Sequence, residues 1–244
     1  MTCRTYGSAL VLVWATLLAL LAGCVNSNPD LVLLAEKVPV LRVETYPGEN
    51  AKPQMGQGLL LPNGNVRIAL HQLFPKDKPG EPVESGWIRL GEGFFRYKLE
   101  KKGHDWKHGD DWAEIAVSPN LTVNCPPLRE DFVSPVPVGT PVYLIADQFT
   151  WFGDETPPDE SALRKRAVPG VVIAPPQGFE LRGNALPIDT EAREKSYRAS
   201  GGAVVRIDSE TKEPVVIGTF VGPLWTNDPK DPKSYRGQVI SRLP

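Results

Sequence analysis

Short β-like runs of hydrophobic residues recur along the chain, and turn-forming polar residues separate them. In the first run, Leu41 and Val43 lie on one face, and short apolar runs bounded by turn signals are typical of strands. Helical periodicity is weak throughout, so the pattern indicates an all-β protein. The strands predicted in this way are Val38–Glu44, Gly58–Leu61, Val66–Leu70, Trp87–Leu90, Phe94–Lys101, Trp112–Val117, Val142–Ala146, Ala167–Ala174, Gly202–Asp208 and Pro214–Val221.

Turn residues indicate which of these strands pair. The Asn-Gly pair within Pro62-Asn63-Gly64-Asn65 and the short segment Gly91-Glu92-Gly93 each predict a β-hairpin. The polar turn Ser209–Glu213 predicts a third. The stretch Pro119–Pro141 is rich in proline and has few strand cues, so we expect it to join two β-rich halves.

The composition agrees with this organisation. The 244 residues include 25 Pro and 22 Gly, which disfavour long helices and favour short strands joined by turns. Two halves, at about 37–130 and 131–244, fit two packed six-stranded-type β-barrels. The expected fold class is therefore all-β.

The first residues have the features of a secretion signal. A short polar stretch with one positive charge, Arg4, precedes the uncharged apolar run Ala9–Leu21, which is too short to span a bilayer. Leu21-Ala22-Gly23-Cys24 follows and resembles the lipobox of bacterial lipoproteins. The alternatives are an ordinary signal peptide, or a buried apolar segment with a chance cysteine.

The lipobox resemblance implies a lipid-anchored protein of the cell envelope. Residues 1–23 would be a removed signal peptide, palmitate or a similar acyl group would be attached at Cys24, and 24–36 would form a tether. Residues 37–244 would form the folded domain. The expected location is the outer membrane or a periplasm-facing membrane, with the membrane itself as a partner through the anchor.

Charge and cysteine content exclude several classes of function. Without residues 1–23 the chain has 26 basic and 29 acidic side chains and no basic block, so nucleic acid is not an expected partner. Lipidation of Cys24 would leave Cys125 alone, so neither an internal disulfide nor a cysteine metal site is expected.

Three short motifs point to chemistry. Ala199-Ser200-Gly201-Gly202 leads into an apolar hairpin, Val66-Arg67-Ile68-Ala69-Leu70 ends at His71, and Asp111 opens the apolar run that ends at Val117. The three motifs resemble, respectively, the nucleophile, base and carboxylate regions of the trypsin-like (chymotrypsin-fold) serine proteases. Along the chain they follow the order His71, Asp111, Ser200, which is the order in that family. The resemblance covers about Val38 to Gly222, and the separations of 40 and 89 residues suit that fold.

The family resemblance implies a role for each residue. Ser200 would be the nucleophile, His71 the general base and Asp111 the carboxylate that orients the imidazole. Backbone N–H groups of Arg198 and Ser200 would form the oxyanion hole. The chain departs from the family pattern at Arg198, where the family has glycine, and at Ala199, where it has aspartate.

Each residue also has a simpler interpretation. Ser200 alone fits a turn serine, His71 a hydrogen-bonded histidine at a strand end, and Asp110 competes with Asp111 for the carboxylate role. His104 and His108 have the i, i+4 spacing of metal ligands, but that spacing needs a helix and the flanking glycines favour a loop. Neither a metal nor another cofactor is therefore expected.

Two functions follow from these motifs. The first is a membrane-tethered serine endopeptidase that acts on a peptide or protein substrate. The second is a catalytically inactive, protease-like lipoprotein that serves as a binding or structural module. No pattern in the sequence indicates an oligomeric state.

Overall fold

The computed structural model describes residues 29–48, 52–75, 78, 80–105, 107, 109–119, 121, 128–146, 165–177, 179–181, 184–190, 199–225 and 235–242. The predicted signal peptide and Cys24 lie outside these ranges, and so does Arg198. The described part of the first half contains α1 (Pro29–Lys37), β1 (Val40–Tyr46), β2 (Gln54–Leu60), β3 (Val66–Ile68), a 3-10 helix (Leu70–Leu73), β4 (Ser85–Leu90), β5 (Gly93–Lys102) and β6 (Ala113–Ser118).

The first six strands close into an antiparallel barrel in the order β1-β2-β3-β6-β5-β4. The β2–β3 hairpin turns at Asn63-Gly64, where Gly64 has a φ of +84° and the Asn63 side chain accepts a hydrogen bond from the Asn65 N–H. The β4–β5 hairpin turns at Gly91, which has a φ of +56°. The two hairpins predicted in the first half are therefore confirmed. The barrel interior contains Val43, Leu60, Val66, Ile68, Leu70, Leu73, Phe74, Ile88, Leu90, Tyr97, Ala113, Ile115 and Val117.

The second half forms a second barrel. Its strands are β7 (Arg129–Glu130), β8 (Pro141–Ala146), β9 (Arg166–Val172), β10 (Leu186–Thr190), β11 (Ala203–Ile207), β12 (Pro214–Trp225) and β13 (Tyr235–Ser241). The sheet runs β11-β8-β9-β10-β13-β12, and pairing of β11 with β12 closes these six strands into a ring. β7 adds to β12 as a parallel edge. The all-β double barrel expected from the sequence is confirmed.

A third apolar cluster lies between the barrels and joins them. It combines Val40 and Leu59 of the first barrel with Ile145 and Val216 of the second, and it includes Leu34 of α1. Burial of residues from both halves in one cluster fixes the barrels against each other, because separating them would expose this apolar surface to water. The relative placement of the 3-10 helix and the β11 turn depends on this contact.

Five described elements differ from the sequence prediction. Strands β7, β10 and β13 were not predicted, and the predicted strand Val66–Leu70 ends at Ile68 and is followed by the 3-10 helix. The helix α1 begins within the segment 24–36 that was expected to be a tether. From Pro29 onward that segment is helical, and Leu34 and Ala35 are buried. In the part of the chain that the structure describes, no helix is long and apolar enough to cross a bilayer.

Candidate active site

Strand pairing in the first barrel brings His71 and Asp111 together. β3 pairs with β6 so that Ile68 lies opposite Ala113. The 3-10 helix after β3 carries His71, and Asp111 lies two residues before β6 begins. His71 and Asp111, which are 40 residues apart in the sequence, therefore lie beside neighbouring strands at the same end of the barrel.

Asp111 holds His71 through two hydrogen bonds. Its Oδ2 lies 2.6 Å from His71 Nδ1, and its Oδ1 accepts the His71 backbone N–H at 2.9 Å. The carboxylate side chain is 2% exposed, whereas the imidazole is 35% exposed. Because a carboxylate only accepts, the ring proton of neutral His71 lies on Nδ1, and Nε2 is the basic nitrogen.

The electrostatics favour a charged imidazole. Burial alone would lower the pKa of His71, but the charge of Asp111 and its hydrogen bond outweigh burial and raise this pKa above its ordinary value. A base with a raised pKa accepts a proton more readily, and the imidazolium cation that forms on it during attack is more stable. The His71–Asp111 pair can therefore act as a general base.

The competing carboxylate, Asp110, has other partners. Its Oδ1 accepts the indole N–H of Trp112 at 2.8 Å, and its Oδ2 accepts the backbone N–H of His104 at 2.6 Å. Asp110 thus stabilises the loop before β6 and Asp111 contacts the imidazole. His108, the second member of the His104 pair, lies outside the described residues. Within the described residues no group of three His, Cys, Asp or Glu side chains could hold a metal ion.

Ser200 lies in the turn that precedes β11, at the contact between the barrels. Its carbonyl oxygen accepts the Gln57 N–H at 2.7 Å and the Gln72 side-chain amide at 2.8 Å. Gly201 follows with a φ of +90°, which glycine adopts without strain. Ser200 is therefore fixed against the residue that directly follows His71.

The Ser200 hydroxyl is directed at a backbone carbonyl. Ser200 Oγ donates to Val221 O at 2.7 Å. The side chains of Ser200 and His71, both of which the structure describes, form no hydrogen bond with each other. The structure thus joins His71 to Asp111 and brings Ser200 to the neighbouring segment without linking all three. Among the described residues the Ser200 backbone N–H has no partner, as a donor of an oxyanion hole requires.

Sequence reasoning did not identify Gln72 or Gly56. Gln72 is 1% exposed, and its amide nitrogen contacts Ser200 O and Gln57 O. A Cβ on Gly56 would lie 2.7 Å from Ser200 O and from the Gln72 amide, so glycine is required for this approach. The only available signal was the position of polar Gln72 directly after the candidate base, His71.

An exposed aromatic surface lies elsewhere on the first barrel. Tyr46, Trp87 and Phe94 line a cavity of about 700 Å³ with glycines 48 and 86. Trp87 is 48% exposed and the Arg96 guanidinium lies 5.1 Å from its ring centroid. Trp112, in contrast, is buried. No pattern in the sequence distinguishes these two tryptophans.

Comparison with solved structures relates this architecture to proteases. The chain is similar to the active form of the Rv3671c protease from M. tuberculosis, with a TM-score of 0.51 and 15% sequence identity over 86% of this chain and 78% of that chain. The inactive form of the same protein, carrying a serine-to-alanine mutation, gives a TM-score of 0.48 and 13% identity over 88% and 85%. No protein-family model and no curated protein matches the sequence. The likeness establishes a shared trypsin-like double-barrel fold.

Proposed function

We propose that this protein is a serine endopeptidase in which Ser200 is the nucleophile, His71 the general base and Asp111 the orienting carboxylate. The observation that carries the proposal is the His71–Asp111 pair, with 2.6 Å between His71 Nδ1 and Asp111 Oδ2. The pair fixes the basic nitrogen of the imidazole, and the segment carrying Ser200 is bound to the next residue, Gln72. The double-barrel fold supports the same reaction class.

The reaction starts with a rotation of one side chain. The Ser200 hydroxyl leaves Val221 O, a hydrogen bond worth about 0.5–1.5 kcal/mol, and donates to His71 Nε2 instead. Ser200 Oγ then bonds to the substrate carbonyl carbon while its proton passes to Nε2. That proton moves to the leaving amine as the peptide bond breaks, and water releases the acyl group by the same route.

The oxyanion that forms on the substrate would be bound by backbone N–H groups of Ser200 and Arg198. The Ser200 N–H is free to donate among the described residues, and one such donor typically contributes about 3–4 kcal/mol to the transition state. A peptide or protein is the expected substrate, because this arrangement acts on an acyl carbon.

Labelling with a fluorophosphonate tests the enzyme directly. We expect the full chain to react, Ser200→Ala to lose all labelling, and His71→Ala to react much more slowly. Ser209→Ala, which changes an exposed turn serine of the same barrel, is the matched control and should label normally. An unlabelled wild-type protein with native near-UV circular dichroism would refute the peptidase.

One observation favours a second function. Because the Ser200 hydroxyl binds Val221 O and not the imidazole, the same fold could serve as a protease-like binding module without turnover. In that case wild-type protein and the Ser200→Ala variant would behave alike in every assay of peptide cleavage. Cleavage of a denatured protein by wild type alone excludes this alternative.

The lipobox-like segment supports a lipid anchor on Cys24 and a location in the bacterial cell envelope. Metabolic labelling with an alkyne-bearing palmitate analogue in a bacterial host should mark the wild-type protein. Cys24→Ala should abolish the label and release the protein from the membrane fraction, whereas Cys125→Ala should change neither. Label retained in Cys24→Ala would overturn the anchor.

A further inference from the structure

Gln72 is the one residue whose side chain links the base-bearing segment of the first barrel to the carbonyl of Ser200 in the described structure. Its amide Nε2 donates to Ser200 O at 2.8 Å, across 128 residues of sequence, and lies 3.3 Å from Gln57 O. The side chain is buried and directly follows His71. A single amide group therefore contacts both the strand β2 and the turn of the candidate nucleophile.

The surroundings are shaped to this amide. A Cβ on Gly56 would lie 2.7 Å from Gln72 Cδ and Nε2, and a Cβ on Gly201 would lie 2.6 Å from Nε2. Contacts this short do not occur, so two glycines on separate barrels leave the space that the amide occupies. Packing from both sides restricts the rotamers of Gln72 and fixes the direction of its N–H bonds.

The backbone of Gln72 is fixed as well. Its N–H donates to Ala69 O at 3.1 Å, and its carbonyl oxygen accepts the buried hydroxyl of Thr45. Movement of the Gln72 backbone therefore requires movement of the 3-10 helix that carries His71. Among the described residues, Gln72 Oε1 has no hydrogen-bond partner, so the amide contributes through its donor nitrogen.

From these contacts we infer that Gln72 is a positioning residue that orients the Ser200–Gly201 peptide unit relative to His71. The catalytic part of this inference rests on the proposed peptidase function. The Ser200 carbonyl and the N–H groups of its turn belong to one rigid backbone segment, because Gly201 N–H also donates to Phe220 O at 2.7 Å. Fixing the carbonyl thus fixes the direction of the Ser200 Cα–Cβ bond, about which the hydroxyl rotates.

Two variants of the full chain test Gln72. Gln72→Met keeps the length of the side chain and removes both donors, and it also removes the unpaired oxygen, so the fold should be retained. Gln72→Glu keeps the shape, and a carboxyl facing two carbonyl oxygens is held in its neutral form, which donates one bond. Tyr97→Phe is the matched control, because it removes one bond from a buried side chain to a backbone carbonyl, Val83 O, in the same barrel.

The first measurement is amide hydrogen exchange, which does not depend on activity. Gln57 N–H, bonded to Ser200 O, and Gly201 N–H should exchange at least tenfold faster in Gln72→Met than in wild type. Gln72→Glu should be intermediate, and Tyr97→Phe should leave both amides unchanged. Unchanged exchange in Gln72→Met would overturn the inference whether or not the protein is an enzyme.

The second measurement is cleavage kinetics. Gln72→Met should lower kcat by about tenfold or more with little change in KM, because the substrate still binds but the hydroxyl is misdirected. Faster exchange with an unchanged kcat would overturn the positioning role. If wild type itself does not react with fluorophosphonate, the peptidase proposal fails, and the exchange data alone decide whether Gln72 orders the Ser200 turn.

Discussion

Substitution of Gly201 by alanine tests the close contact between the barrels. Gly201 has a φ of +90°, where an L-residue costs about 1–3 kcal/mol. Its Cβ would also lie 2.6 Å from Gln72 Nε2 and 2.8 Å from the Gln57 carbonyl carbon, and closer still to the Gln57 carbonyl oxygen. The neighbouring atoms must shift to make room for this Cβ, and overpacking of this kind costs about 1–3 kcal/mol more. Gly201→Ala should therefore lower the free energy of unfolding by about 2–6 kcal/mol in total.

Gly139→Ala separates the two contributions. Gly139 has a φ of +87°, close to that of Gly201, and a Cβ there would meet no atom within 4 Å. It should cost the backbone strain alone, and the loss of unfolded-chain entropy on replacing glycine by alanine is common to both variants. The difference in the free energy of unfolding between the variants is then the steric part, about 1–3 kcal/mol.

Guanidinium denaturation at 25 °C, followed by tryptophan fluorescence, measures this difference. Gly201→Ala should also react with fluorophosphonate at least tenfold more slowly, although Ser200, His71 and Asp111 are all retained. Equal unfolding free energies for Gly201→Ala and Gly139→Ala would show that the Gln57 and Gln72 contacts are not as close as the structure has them.

Three further predictions concern charged residues. Asp111→Asn should reduce the fluorophosphonate rate by about 10⁴-fold, because an amide donor facing His71 Nδ1 moves the ring proton to Nε2; a loss of less than tenfold would contradict the role of Asp111. The labelling rate of wild type should rise with pH through an apparent pKa above the ordinary histidine value of about 6.5. The raised pKa of His71 should also stabilise the folded protein at pH values below about 6.5, and this stability should be lost as the pH rises through the pKa of the folded state. A midpoint below about 6.5 in the pH–rate profile would refute this prediction. Arg67→Ala should lower the free energy of unfolding in chemical denaturation by about 3 kcal/mol. Among the described residues, the buried Glu114 would keep Lys101 and two asparagine amides as partners, and packing on Phe132 would be lost. A cost below about 1 kcal/mol would contradict this prediction.

The predicted strands are short apolar runs bounded by turn residues, so a local signal marks each of them. The strands that were missed lack this signal. Pro187 interrupts β10 and Gly237 interrupts β13, and these strands pair with each other across more than 50 residues, with Leu186 opposite Ile240. β7 has only two residues. For such segments, pairing is decided by the rest of the sheet and not by the local pattern.

The helix α1 was missed for a different reason. Leu31, Leu34, Ala35 and Val38 have helical spacing, Asp30 lies in the first turn and Lys37 in the last, which suits the helix dipole. The signal extends over only nine residues. Such a short helix is stabilised by packing against the barrels, which the local pattern does not reveal.

In the candidate site, too, local motifs identify some features and only the tertiary structure shows the others. His71 and Asp111 were predicted as a pair from their neighbours in the sequence, and the β3–β6 pairing brings them within hydrogen-bond distance. The direction of the Ser200 hydroxyl is set by the backbone of β12, through Val221 O, and no sequence motif reports it. Gln72 acts across 128 residues, so only the tertiary structure identifies it.

The early start of α1 limits how far the folded protein could stand from a membrane. Pro29 is the fifth residue after Cys24, and five residues of fully extended chain span at most about 18 Å. With the proposed lipid on Cys24, the barrels would remain within about one domain diameter of the bilayer surface. The protein would then search for its targets by lateral diffusion in two dimensions, and segments of other envelope proteins that emerge next to the lipid headgroups would be within its reach.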